Sequence, residues 1–167
     1  MNAAIELTRP EAAILREDFD RNPRLLCVKN GTLDLTSCKL REHRREDLIS
    51  RYVPVAYNPA AQCPKWLRFL DQIMGGDQEL IQYIQRAMGY TLTGSQEEQC
   101  FFILHGSGCN GKSVLLETFR MVLGEYAVQA DFTTFSQQRT DGRPRNDLAR
   151  MPGSRLVAAS EISRDAI

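Results

Sequence analysis

Apolar residues change their spacing several times along this chain, and each change marks an element. From Leu25 to Leu40, Leu26 and Val28 alternate with other residues, and Leu33 and Leu35 alternate again after Asn30-Gly31. Period-two alternation suits a strand with one buried face, and Asn-Gly supplies two residues able to take positive φ, so a β-hairpin turning at Asn30-Gly31 is predicted. RYVPVAY (51–57) predicts a short strand that Pro54 confines to an edge or bulge. Pro64 opens a helix with Trp66, Phe69, Leu70 and Ile73 on one face, ended by Gly75-Gly76. Asp77 caps a second helix, in which Leu80, Ile81, Ile84 and Met88 recur at helical spacing until Gly89. The two helices read as an αα-hairpin packed on the β elements.

Further on, CFFILHG (100–106) has the length and composition of a buried parallel strand. A helix follows from Lys112 to Leu123, with Leu115, Phe119 and Val122 at helical period and Gly124 at the C-terminal cap. RLVAASE (155–161), after the turn Pro152-Gly153, predicts a second buried strand. Residues 1–24 carry no clean apolar stripe and are interrupted by Pro10 and Pro23, which leaves a weak helix or a lead-in.

The 167 residues allow one compact domain with a small appendage and exclude a large multidomain machine. Lys plus Arg and Asp plus Glu are both 21, so no global positive field draws the chain to nucleic acid, and any such contact needs a local patch. Arg139, Arg143, Arg145, Arg150 and Arg155, set against Asp141 and Asp147, form one candidate; a solvated loop is the blander reading. Cys27, Cys38, Cys63, Cys100 and Cys109 form an odd set without a CxxC pair, which points to a reducing, cytoplasmic setting and to neither a disulfide framework nor a zinc ribbon. His43 and His105 stand apart from other candidate ligands. No apolar segment approaches the length of a membrane helix.

The chemistry is concentrated in Gly106-Ser107-Gly108-Cys109-Asn110-Gly111-Lys112-Ser113, which satisfies G-x-x-x-x-G-K-[ST] between a predicted strand and a predicted helix. Glycines let backbone N–H groups curl around phosphate oxygens, and the helix presents its positive end. Lys112 reaches the β- and γ-phosphates, and Ser113 offers a hydroxyl to Mg²⁺. A nucleoside triphosphate site is the expectation. Cys109 reads either as a thiol activated by the helix N-terminus or as a small filler. Such a site also needs a carboxylate at the end of another strand, and Glu161 stands at that position.

With Asn110 directly before Gly111-Lys112-Ser113, the sequence resembles the superfamily 3 helicases. More narrowly, it resembles the helicase portion of phage and plasmid primase-helicases together with the preceding domain shared with poxviral primase-helicases. NGTLDL (30–35), Tyr57-Asn58-Pro59 with CPKWLRFL (63–70), MGYTLTG (88–94), FFILHGSGCNGKS (101–113) and RLVAASE (155–161) carry the likeness in the family's order. The resemblance implies a fold of three parts: a lead-in (1–24), a helicase-associated α+β domain (25–94), and the first part of an AAA+-like P-loop ATPase core with a parallel sheet (95–167). It implies a homo-hexamer that hydrolyses ATP with Mg²⁺ and moves along single-stranded or forked DNA, in contact with other replication proteins. Lys112 and Ser113 then take the key phosphate and metal positions and Glu161 the acidic end of the second motif. Ile162-Ser163-Arg164 follow where members carry further acidic residues, so metal-shell ligand and water-orienting base both stay open for Glu161.

The family's third motif and arginine finger are not found within the 167 residues, and residues 1–24 are too short for a primase module. A subunit or fragment of a helicase is therefore expected, with an unpaired edge and exposed apolar surface at the Val157 strand. Two other classes compete. One is a remnant without catalysis that docks DNA or protein through residues 25–92. The other is a different P-loop class such as a kinase or GTPase, although no guanine-reading Asn-Lys-x-Asp segment is present.

Overall fold

The computed structural model describes residues 14–135 and 146–160. The chain is mixed α/β. Strands β1 (Leu25–Val28), β2 (Gly31–Asp34) and β3 (Lys39–Arg41) form an antiparallel sheet in that order. Helices α1 (Pro64–Ile73), α2 (Gln78–Thr93) and α3 (Lys112–Leu123) follow, then strand β4 (Ala127–Asp131), the short helix α4 (Asn146–Arg150) and strand β5 (Leu156–Ser160). β4 and β5 pair in parallel, from Ala127 opposite Leu156 to Asp131 opposite Ser160. Of residues 1–24, the described part holds only a single 3-10 turn at Arg16–Asp18, and Pro10 lies outside the described residues.

The hairpin forms, but its turn sits one residue earlier than the Asn-Gly signal places it. Val28 pairs with Gly31, so Lys29 and Asn30 make the turn, and neither takes a positive φ. Tertiary bonds override the local preference. Asn30 Nδ2 donates to the Tyr57 carbonyl and its Oδ1 accepts from Tyr57 N, both at 2.9 Å, while Lys29 N donates to the Val55 carbonyl. The same bonds explain why 51–57 is not a strand. Its one ladder contact is a parallel bridge between Val53 and Val28, because the segment gives its hydrogen bonds to the hairpin turn and Pro54 brings no N–H.

The helical hairpin follows its sequence signals closely. Pro64 occupies the first turn of α1, Gly75 and Gly76 both take positive φ after it, and the Asp77 side chain accepts from Leu80 N at 3.0 Å. α2 does not end at Gly89. It runs through Thr93 and stops at Gly94 in the left-handed conformation, since a glycine inside a packed helix costs only about 1 kcal/mol and Ile81, Ile84 and Ala87 are already buried. Leu80, expected in the stripe, is exposed. On α3, Gly124 caps as expected, but Leu123 is buried in place of Val122.

The run 101–106 is not a strand. Phe101 is 82% and Ile103 76% exposed, and only Leu104 joins a core. A strand needs a neighbour's ladder, and among the described residues β4 and β5 pair with each other alone. On β5, Val157 is exposed and Ala158 is buried.

Two cores hold these elements, and both draw on residues from either side of residue 95. In the first, Leu26, Val28, Leu33 and Val53 close over Leu123 and Tyr126. In the second, Leu70, Ile81 and Ile84 pack on Leu115, with Trp66 edge-on to Phe119 at 5.6 Å between ring centroids. Polar bonds stitch the first core. Tyr126 OH donates to the Arg51 carbonyl at 3.1 Å, and Arg51 in turn donates to the carbonyls of Glu125 and Pro152. The Arg155 guanidinium donates to the Leu92 carbonyl at 2.6 Å and the Leu25 carbonyl at 2.5 Å, and lies 4.6 Å from the Tyr126 ring centroid. Burial of each group pushes the Arg155 guanidinium pKa down and the Tyr126 phenol pKa up, the latter against the lowering effect of the nearby Arg155 charge.

The start of α3 rests on α1. Gly111, with φ +83°, is the N-cap of α3, and a Cβ there would lie 2.5 Å from Ile73 Cγ2 and 3.4 Å from Phe69 Cε2.

Two outcomes follow. Arg155→Ala strips two half-buried carbonyls of their donors and is expected to cost about 1–3 kcal/mol in urea unfolding, with Arg155→Lys in between. Gly111→Ala is expected to cost about 1–2 kcal/mol from strained φ and collision. Combined with Ile73→Ala it should cost less than the two single losses added together, and strict additivity in that double-mutant cycle would refute the close packing.

Candidate functional site

Residues 106–111 form a loop, exposed from Gly106 to Cys109, that leads into α3 at Lys112, and three residues set its path. Gly106 has φ +150°, Cys109 φ +58° and Gly111 φ +83°. Cys109 is the non-glycine member held in the left-handed region, so its contribution is to the turn of the loop, and its thiol is exposed and free. No side chain caps the start of α3, whose first amides have no intrahelical acceptor. Nothing lies within 4 Å of the position a Cβ would take at Gly108, so the loop is open on that side.

Lys112 folds back over this loop. Its Nζ donates to the Gly106 carbonyl at 2.7 Å, to Asn110 Oδ1 at 2.8 Å and to the Ser107 carbonyl at 3.1 Å. Gly106 permits the arrangement, since a Cβ there would collide with the Asn110 amide and lie 3.7 Å from Lys112 Nζ. Ser113, in the first turn of α3, is exposed. Lys112 thus gathers Gly106, Ser107 and Asn110, with Gly111 and Ser113 on either side of it in the chain. Glu161, the predicted partner carboxylate, lies outside the described residues, one position beyond the end of β5 at Ser160.

One carboxylate was not anticipated. β4 places Asp131 opposite Ser160, at the same C-terminal strand edge that Glu161 follows. The signal was the alternation in AVQAD, where Val128 and Ala130 are buried between exposed neighbours.

The arginine patch is reduced. Arg139, Asp141, Arg143 and Arg145 lie outside the described residues. Arg155, expected in a solvated patch, is instead an internal donor to two backbone carbonyls. Arg150 is exposed and lines an open cavity of about 580 Å³ with Arg51, Tyr52, Pro54 and Glu125, away from the glycine-rich loop. His43 Nδ1 lies 3.7 Å from Cys27 Sγ, and burial together with Glu125 and Asp47 raises that thiol's pKa, which keeps it protonated and poorly nucleophilic. Among the described residues no cluster of three or more His, Cys, Asp or Glu is placed to hold a metal, and no helix is long and apolar enough to cross a membrane.

The chain is similar to several large viral proteins. It is 28% identical over 149 residues to a proposed helicase of Acanthamoeba polyphaga mimivirus, covering 86% of this chain and 15% of that protein. A proposed primase of African swine fever virus is 30% identical over 146 residues, covering 82% and 15%. A proposed helicase of Invertebrate iridescent virus 3 is 25% identical over 153 residues, covering 86% and 16%. The chain therefore spans about a sixth of the length of these relatives. The family described as D5 N terminal like matches residues 1–75. The chain carries a D5-like primase-helicase N-terminal region.

Proposed function

We propose that this chain is part of a replicative primase-helicase-like protein and that residues 106–113 bind ATP for a superfamily 3 type DNA helicase. The observation that carries the reading is Lys112, gathered with the glycine-rich loop at an uncapped helix start. The relatives named as helicases and primases support the replication role at a coarser level.

The local geometry fits a polyphosphate. Uncapped α3 amides and a loop open at Gly108 suit anionic oxygens, and the lysine supplies a matching charge. Lys112 would hold the β- and γ-phosphates, and Ser113, exposed at the head of α3, would meet Mg²⁺. Glu161, following β5, is proposed as the carboxylate that acts with them, as metal-shell ligand or water-orienting base. MgATP bound there supplies a phosphoryl group to hydrolysis, and a hexameric ring on single-stranded or forked DNA is the assembly in which that hydrolysis would drive movement.

Calorimetric titration of the chain with MgATP is expected to give saturable binding. Lys112→Ala should weaken it roughly 10- to 150-fold, the worth of charge-assisted hydrogen bonds. Ser113→Ala should weaken binding in the presence of Mg²⁺ and change little once the metal is chelated. Equal MgATP affinity in parent and Lys112→Ala would remove the site assignment.

A further inference from the structure

In the loop, the three protons of the Lys112 ammonium meet three acceptors: the carbonyls of Gly106 and Ser107 and the Asn110 side chain. An ammonium has no further donor, so this set is saturated. Because lysine only donates, the Asn110 amide must turn its oxygen toward Nζ, which directs its nitrogen toward Gly106, where the missing Cβ leaves room. The two carbonyls are fixed parts of the loop. Asn110 supplies the one acceptor that a side-chain rotation can add or withdraw.

We propose that Asn110 is a positioning residue that clamps Lys112 in the empty loop, and that a triphosphate binds by taking the lysine from it. The inference rests on the nucleotide reading of the same loop. A phosphate oxygen carries full charge and outcompetes a neutral amide oxygen for the ammonium, whereas a ligand with little charge does not. The clamp therefore sets a threshold: the empty loop keeps its lysine internally satisfied, and only a strongly anionic group opens it. Asn110 acts through Lys112 and need not touch the ligand itself.

The test combines two readouts on the full chain. Reductive methylation of Lys112, followed by mass spectrometry, reports the free ammonium without any nucleotide, and calorimetry reports MgATP affinity. Asn110→Ala is expected to label several-fold faster at Lys112 and to bind MgATP roughly fivefold more tightly, because one competing acceptor is gone. Asn110→Asp preserves the shape but replaces the neutral acceptor with a carboxylate. It should label more slowly and bind MgATP at least about tenfold more weakly. Opposite shifts from these two variants, with unchanged melting, are not produced by a merely structural asparagine. Equal Lys112 labelling in parent and Asn110→Ala overturns the clamp, and weaker MgATP binding by Asn110→Ala overturns the competition. A labelling difference in a parent chain that binds no MgATP overturns the nucleotide reading, and the competition with it, while leaving the clamp established.

Discussion

The first core is tied together by a cation with no carboxylate ion pair among the described residues. The Arg155 guanidinium is held by the carbonyls of Leu25 and Leu92 and by the face of Tyr126. Removing a charge from water is costly, and carbonyl dipoles with an aromatic face offset that cost only if all of them stay in place. One side chain thus fixes the start of the antiparallel sheet, the end of α2 and the residue before β4 against each other. Because Arg155 directly precedes β5, the parallel strand pair inherits its position from the same contact.

A second constraint sits at the other end of α3. The N-cap glycine leaves no space between the loop and the α1 side chains Ile73 and Phe69, and the helical hairpin and α3 share the Leu70–Leu115 core. The glycine-rich loop is therefore supported from below by an element far earlier in the chain. Its open side is at Gly108, and its packed side is at Gly111. A loop braced in this way keeps its backbone amides oriented before any ligand arrives, which is the condition for strong anion binding.

Local signals were legible where one residue decides the outcome alone. Pro64, Asp77 and Gly124 each act through their own backbone or side-chain chemistry, and the structure places them as read. Signals failed where a distant partner decides. The Asn30-Gly31 turn moved because Tyr57 claims the Asn30 side chain, and Gly89 did not end α2 because burial outweighs its propensity. The apolar run 101–106 looked like a buried strand, yet composition cannot supply the neighbouring ladder that makes one. Arg155 read as part of a basic patch because charge is visible in a sequence and burial is not. Asp131 went unremarked because its short strand precedes no obvious motif.

The span of the Arg155 to Leu25 bond, 130 residues, has a consequence for synthesis. At about 5–20 residues per second, a ribosome delivers Arg155 roughly 7–26 s after Leu25. Leu123 and Tyr126, which complete the first core, arrive only shortly before it. For that interval Leu26, Val28 and Leu33 have Val53 to pack on but lack Leu123 and Tyr126. The first core therefore closes only after most of the described residues have been synthesised.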